Sequence, residues 1–268
     1  MIDVGIITGS GIYEMPGEPQ TRMVETVETR FGEVEVAVSE VGPWTVGAVS
    51  RHRKGHHHLP HTIPHRANLA ALKQLGARAI LATTVVGAVG PDVPLGRPIL
   101  FDDLFFPENR LPDGEACTMF PEPGEAGRGH LIQTEPFAPR LRRRTELAAG
   151  ELGLETTTGG VYGHVNGPRF NTAAEIRWLA AAGVGAVSQT CGPETVLAGE
   201  LEIPYALVGF PVNNAIGDGS DSEQSIGSMV ALSADVLPRL LLRTVETLQE
   251  EDMTSDHGYI YRVEGGIG

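Results

Sequence analysis

ARAILATTVVGAVG, Ala77 to Gly90, decides how this chain is read. Seven of its first ten residues are apolar, and the run becomes β-branched towards the end, which predicts a buried strand. The threonines and glycines finish that strand in small, hydrogen-bonding groups. Working outward, PHRANLAALKQLG (Pro64 to Gly76) has helical period, and similar apolar runs recur as IDVGIIT (Ile2 to Thr8), GVGAVSQT (Gly183 to Thr190) and YALVGFPV (Tyr205 to Val212). TAAEIRWLAAAG (172–183) and SMVALSADVLPRLLLRTVETLQ (228–249) read as further helices, the second with Pro238 as a kink point. VEVAVSEVG and WTVGAVS predict a hairpin near the front. Strands alternating with helices specify an α/β fold, a single domain whose twisted, mostly parallel mixed sheet is flanked by helices. The domain is expected to fill residues 1–250. Residues 251–268 read as a loosely held tail, because DMTSDHGYIYRVEGGIG is a weak helix former.

Twenty Lys+Arg against 34 Asp+Glu give a formal charge of −14, which repels nucleic acid and anionic membrane. No apolar run approaches the roughly 18 residues that span a bilayer, and the first twenty residues lack a basic start and a sustained apolar stretch. A soluble, cytoplasmic protein is expected. Cys117 and Cys191 are too few for a disulfide framework and read as buried free thiols.

Against this acidic background, SRHRKGHHHLPHTIPHRAN (Ser50 to Asn68) holds six of the nine histidines with Arg51, Arg53, Lys54 and Arg66. It reads as a local positive island for a small anion. Metal binding is disfavoured, because adjacent side chains of the His56–His58 run point to opposite faces in extended backbone and no Cys or acidic cluster follows.

Three strand ends run straight into small or hydroxyl residues: ITGSG, ATTVVGAVG and SQTCGPE. Ligands of open α/β sheets bind beyond the carboxyl ends of strands, so these are candidate pieces of one site. In ITGSGIY (Ile7 to Tyr13) the glycines flanking Ser10 let backbone N–H groups and a hydroxyl face an anion, although a plain turn would read the same. Thr84 and Thr190 either join that site or satisfy neighbouring backbone. Arg51 offers a planar fork for phosphate oxygens, and His52 can add a donor. In GHVNGPRFNTAAE (Gly163 to Glu175), Phe170 can stack on a flat heterocycle and Asn171 can face its edge, or Asn171 can simply cap a helix. FPVNNAIGDGS (Phe210 to Ser220) puts Asn213 and Asn214 beyond another strand.

Taken in order, TGSG, SRHRKGHH, RANLAALKQLGA, TTVVGAVG, HLIQTEPF, NGPRF and TCGPETVLAGELEIPYA resemble the trimeric purine nucleoside phosphorylases, most closely the 5'-methylthioadenosine phosphorylase subfamily. The resemblance runs from about Asp3 to about Leu242. It implies phosphate contacts from Ser10, Arg51, His52, Thr84, the Val85 backbone and Thr190. It implies a purine stacked on Phe170 and hydrogen-bonded by Asn213, the catalytic contact at N7. Ile226 and Met229 would line the 5' pocket, His56 would lie near the sugar, and His130 would be lent by a neighbouring subunit. A homotrimer, or a hexamer built as a dimer of trimers, follows by the same analogy, with inorganic phosphate as co-substrate and no cofactor.

Four positions depart from what the resemblance leads one to expect, two of them from the adenine-specific pattern. Asn213 and Ala215 stand where carboxylates are usual. An asparagine accepts from N7–H and donates to O6, which favours a 6-oxopurine. Asn171 stands where oxopurine members usually carry glutamate. Gln189 replaces a methionine beside the ribose, and a hydrogen bond to a sugar hydroxyl is one reading of it. Apolar Ile226 with Met229 suits a methylthio group, since an unpaired buried hydroxyl costs about 1 to 3 kcal/mol. 5'-Methylthioinosine is the favoured substrate; the rivals are a methylthioadenosine phosphorylase and a nonenzymatic nucleoside-binding protein.

Overall fold

The computed structural model describes residues 1–12, 23–90, 92–215 and 223–262; Tyr13, Ile216 to Ser220 and 263–268 of the segments above lie outside these residues. In chain order the elements are β1 (Val4–Thr8), β2 (Met23–Thr29), β3 (Gly32–Val41), β4 (Trp44–Ser50), α1 (His65–Leu75), β5 (Ala79–Ala88), β6 (Ile99–Leu100), β7 (Asp103–Phe105) and β8 (His130–Gln133). They continue with α2 (Pro139–Glu151), β9 (Thr157–Thr158), β10 (Val161–His164), α3 (Ala173–Ala181), β11 (Val184–Ser188), α4 (Cys191–Glu200), β12 (Tyr205–Asn214), α5 (Glu223–Thr247) and β13 (Gly258–Tyr261). All four expected strands and all three expected helices form, as does the β3–β4 hairpin, which β2 extends.

Eleven strands make one mixed sheet with the path β2-β3-β4-β1-β5-β11-β10-β7, from which β12, β6 and β9 branch at β5. Side-chain alternation splits the central strands between two layers. Ile80 and Ala82 of β5 pack with Leu69 and Leu72 of α1 and Leu197 of α4. Ala79 and Leu81 face the other way, towards Leu141 of α2 and Leu241 and Val245 of α5. Helices therefore cover both faces, and that is why β1 and β5 read as continuous apolar runs.

The partners of β5 change along its length. Its first half, Ala79 to Ala82, pairs parallel with β1, whereas Gly87 and Ala88 pair antiparallel with β11. On the other edge β12 runs parallel from Ile80 to Ala88. Between the departure of β1 and the arrival of β11, one edge of Thr83–Val86 faces a gap. The carboxyl ends of β1, β4 and β11 converge there, a switch point of the kind that holds ligands in α/β sheets.

Two expectations are corrected. Residues 251–262, the described part of the expected tail, are not loose: Asp252 and Met253 are buried, and β13 pairs antiparallel with β8 in a second, two-stranded sheet. α5 is also long and apolar enough, by length and composition, to cross a bilayer. Its buried residues Ser233, Leu237, Leu241 and Thr244 nevertheless form one stripe, and the helix packs on β12 and α2 as a core helix does.

Candidate active site

The β1–β4 ladder continues one step beyond Thr8 and Ser50, through Arg51 N–H to the Thr8 carbonyl at 3.1 Å, and delivers Arg51 into the gap. Gly9 lets the chains close. A Cβ there would lie 3.0 Å from Thr83 O, 3.1 Å from Arg51 Nη1 and 3.3 Å from Thr84 Cα, so this turn touches β5 only without a side chain. Ser10 follows Gly9 in the same turn.

The fork of Arg51 is not directed at an anion. Nε and Nη2 donate to Glu194 Oε1 and Oε2 at 2.5 and 2.8 Å, Nη2 reaches Cys191 Sγ at 3.4 Å, and Nη1 donates to Thr83 O at 3.0 Å. Of five N–H groups, one on Nη1 has no partner among the described residues, and the side chain is fully buried. Burial alone would raise the Glu194 carboxyl, but the Arg51 guanidinium holds it well below the usual carboxylate range. Burial raises the Cys191 thiol and keeps it protonated, so Glu194 is the charge that balances Arg51. The positive island dissolves further, because Arg66 donates to Glu115 and to the carbonyls of Ala116 and Thr118. Arg53 and Lys54 are its exposed cations.

A directed chain of hydroxyls lines the opposite wall. Cys191 N–H donates to Tyr162 OH at 3.1 Å, which turns the phenolic proton towards Ser188 Oγ at 2.7 Å; Ser188 in turn faces Thr84 Oγ1 at 3.2 Å, and Thr84 donates to Val85 O at 3.1 Å. Thr190 precedes α4 and makes no capping bond of its own. The first amides of that helix are satisfied from β10 instead, Cys191 by Tyr162 and Gly192 by His164 Nδ1 at 3.3 Å, and Pro193 has none to satisfy. The Thr190 hydroxyl is left beside Cys191 Sγ at 3.4 Å. Arg51, Thr84 and Thr190 are thus linked through shared neighbours, and Ser10 adjoins Gly9 in the same turn.

His52 Nδ1 lies 2.7 Å from the His58 carbonyl and so carries the proton, while its ring stacks on His56 at 4.1 Å. Nε2 then presents a lone pair, which corrects the expectation of a donor. Burial pushes His52 down to about 4, Arg51 adding repulsion, and pushes His164 down to about 3, with His65 adding repulsion. The unfolded chain, with histidines near 6.5, binds protons that the folded chain refuses. The contribution of these neutral rings is therefore intact above pH 6.5 and is lost as pH falls towards 4. Each is expected to add a slope of about 1.4 kcal/mol per pH unit in that window. Denaturant unfolding at pH 7 and pH 5 measures it, and His164→Asn should flatten the slope; an unchanged slope in that variant refutes the assignment.

Further along β5 and β12 lies a second group. Asn213 pairs with Gly87, three residues or about 10 Å beyond Thr84, and its Nδ2 donates to Asn214 O at 2.9 Å, with no bond to Oδ1 among the described residues. Ala215 packs against Gly87 and bonds through its amide to Ala88 O. Val85, Val212, Ile226 and Met229 share one apolar cluster. Phe170 is 89% exposed. Asn171 is not the helix cap, since Thr172 forms a capping box with Glu175; Asn171 Nδ2 points at Glu175 Oε2 at 3.4 Å. His130, on β8, stacks on Tyr261 of β13, away from the Arg51 group.

Glu194, Tyr162, Ser188 and Tyr205 went unread in the sequence. Only Glu194 carried a signal, as a lone carboxylate in the otherwise small and apolar run CGPETVLAG.

The profile of the phosphorylase superfamily matches residues 3–246. The chain belongs to the phosphorylase superfamily. It is 35% identical over 255 residues to the 6-oxopurine nucleoside phosphorylase of Pyrococcus furiosus, covering 92% of this chain and 94% of that protein. It is 38% identical over 251 residues to a probable S-methyl-5'-thioinosine phosphorylase of Methanopyrus kandleri, covering 92% and 93%. A methylthioadenosine phosphorylase of Schistosoma mansoni in complex with adenine superposes with a TM-score of 0.80 at 26% identity, covering 91% of each chain.

Proposed function

We propose that the protein cleaves the N-glycosidic bond of a purine nucleoside with phosphate, releasing free purine and a pentose 1-phosphate, and that its favoured substrate is 5'-methylthioinosine or a related 6-oxopurine nucleoside with an apolar 5' group. The carrying observation is the partner change of β5, which opens a hydroxyl-lined gap at Thr84 with Asn213 about 10 Å along the same strand pair. Phosphate would sit among Ser10, the last Nη1 proton of Arg51, Thr84, the Val85 backbone and Thr190. Thr84 would swing its hydroxyl off Val85 O to donate. The His52 lone pair suits the proton of hydrogen phosphate, which a cationic histidine would not.

In the reaction C1'–N9 breaks, a phosphate oxygen bonds C1', and the proton lost by phosphate balances the one gained by the purine. The sugar passes through a cation-like state next to the phosphate charge, so orientation and electrostatics supply the rate and no protein nucleophile is needed. Asn213 Oδ1 would accept from N7–H while its remaining Nδ2 proton faces O6, and Asn171 Oδ1 is free to accept from N1–H. Ile226 and Met229 would cover the 5' substituent. On this reading the enzyme uses no cofactor, works in the cytoplasm and assembles as a homotrimer in which His130 reaches a neighbour's 5' pocket.

Inosine, adenosine and their 5'-methylthio forms, each with phosphate, with arsenate and with neither, test it. Release of base from 5'-methylthioinosine that requires the anion is expected. Preference for 5'-methylthioadenosine would overturn the base assignment, equal turnover of inosine would overturn the 5' assignment, and no anion-dependent release would overturn the activity.

A further inference from the structure

Gln189 sits between two halves of the site, directly before Thr190 at the end of β11. Its Nε2 donates to the Arg169 carbonyl at 2.8 Å. Its other amide atoms press on the neighbouring turn: a Cβ built at Gly167 would fall 2.2 Å from Gln189 Oε1 and 2.8 Å from Cδ, with Pro60 Cβ at 3.1 Å. The amide is thus turned into the 167–169 segment. The proton given to Arg169 is thereby withheld from a sugar hydroxyl.

The contact does not end at Arg169. The guanidinium of Arg169 donates to Glu175 Oε2 and Oε1 at 2.9 and 2.7 Å and to Phe170 O at 3.1 Å. Glu175 accepts from Thr172 N–H at 2.8 Å and faces Asn171 Nδ2 at 3.4 Å. Hydrogen bonds from Arg169 and the Thr172 backbone push the Glu175 carboxyl down to about 2, so it remains an acceptor at neutral pH. Every link in this exposed chain is local to residues 169–175 except one. Among the described residues, the Gln189 amide is the side-chain hydrogen bond that ties the segment back to the sheet.

We infer that Gln189 is a positioning residue for purine recognition: it anchors the segment carrying Phe170 and Asn171 to β11, so that the base-facing groups keep a fixed distance from the phosphate-facing Thr190. The inference rests on the proposed reading of Phe170 and Asn171 as base contacts. In this chain the Gln189 amide supplies a donor of the right length for that bond. Methionine fills the same space without an N–H, and glutamate puts a charge against a carbonyl oxygen.

Three variants test it without touching a base or phosphate contact. Gln189→Met is expected to raise the KM for nucleoside roughly fivefold to tenfold, the range of one lost hydrogen bond, with the KM for phosphate and the melting temperature unchanged. Gly167→Ala, whose new methyl displaces the amide, should give the same split, and the double variant should be no worse than either single one. Amide hydrogen exchange at Phe170 and Asn171 should accelerate in Gln189→Met, with exchange at residues 51–58 unaltered. Unchanged nucleoside KM, parallel rises in both KM values, additive effects in the double variant, or unchanged exchange would each overturn the inference. If the wild-type protein splits no nucleoside, the proposed activity fails separately, and the exchange experiment still decides whether the anchor exists.

Discussion

Glu194→Ala is expected to destabilise the protein by about 3 to 5 kcal/mol, the largest single effect of any substitution considered for this chain. Arg51 is 1% exposed and Glu194 0%, so removing the carboxylate leaves a guanidinium charged and unpaired in the interior. Two Arg51 bonds go at once, and so does the bond from Tyr205 OH to Glu194 Oε2 at 2.9 Å. Against a typical total of roughly 5 to 15 kcal/mol this is a large fraction, and the melting temperature should fall by about 10 °C or more. Glu194→Gln keeps an acceptor but loses the charge and should fall between. The pair Arg51→Met with Glu194→Leu separates stability from function. Two apolar residues of similar volume should recover most of the lost stability, because the ion pair itself is costly to bury, while phosphate-dependent turnover should stay low. A melting temperature for Glu194→Ala within a degree or two of wild type would mean that water reaches Arg51 and that the enclosure described above is wrong.

The second large effect concerns the base. Asn213→Asp removes the amide proton that faces O6 and puts a negative charge near that oxygen, whereas a 6-amino group can donate to the new carboxylate. One buried group left unpaired costs about 1 to 3 kcal/mol, so the ratio of kcat/KM for 5'-methylthioinosine over 5'-methylthioadenosine should drop on the order of tenfold to a hundredfold. Asn213 is half-buried at the end of β12, and its local bond to Asn214 O is made by an amide proton that Asp lacks. Some loss of order is therefore expected along with the change of preference. Equal loss for both nucleosides in a folded variant would show that Asn213 holds the strand end and does not choose the base.

Arg51 and Gln189 show where reading residues in order falls short. Each side chain suits a ligand, a fork for phosphate and an amide for a polar group. In the fold each finds a protein partner first, Glu194 across 143 positions and Arg169 across 20. Sequence spacing carries no record of which polar group meets which across the sheet. The hydroxyls fared differently. Thr84 and Thr190 each follow an apolar run, and strand ends meet wherever the strands are neighbours, so their shared neighbours follow from the topology.

What the sequence determined by itself is the buried character of β1, β5, β11 and β12, the helices beside them, and the short polar residues at the strand ends, because burial and period are local properties that composition must satisfy. The tertiary structure alone decided that β5 exchanges β1 for β11 at Thr83–Val86, that Arg51 is neutralised before any anion arrives, and that the last strand clasps β8. Those outcomes depend on pairing between distant segments, and the free energy that selects one pairing over another comes from contacts that exist only once the chain has closed on itself.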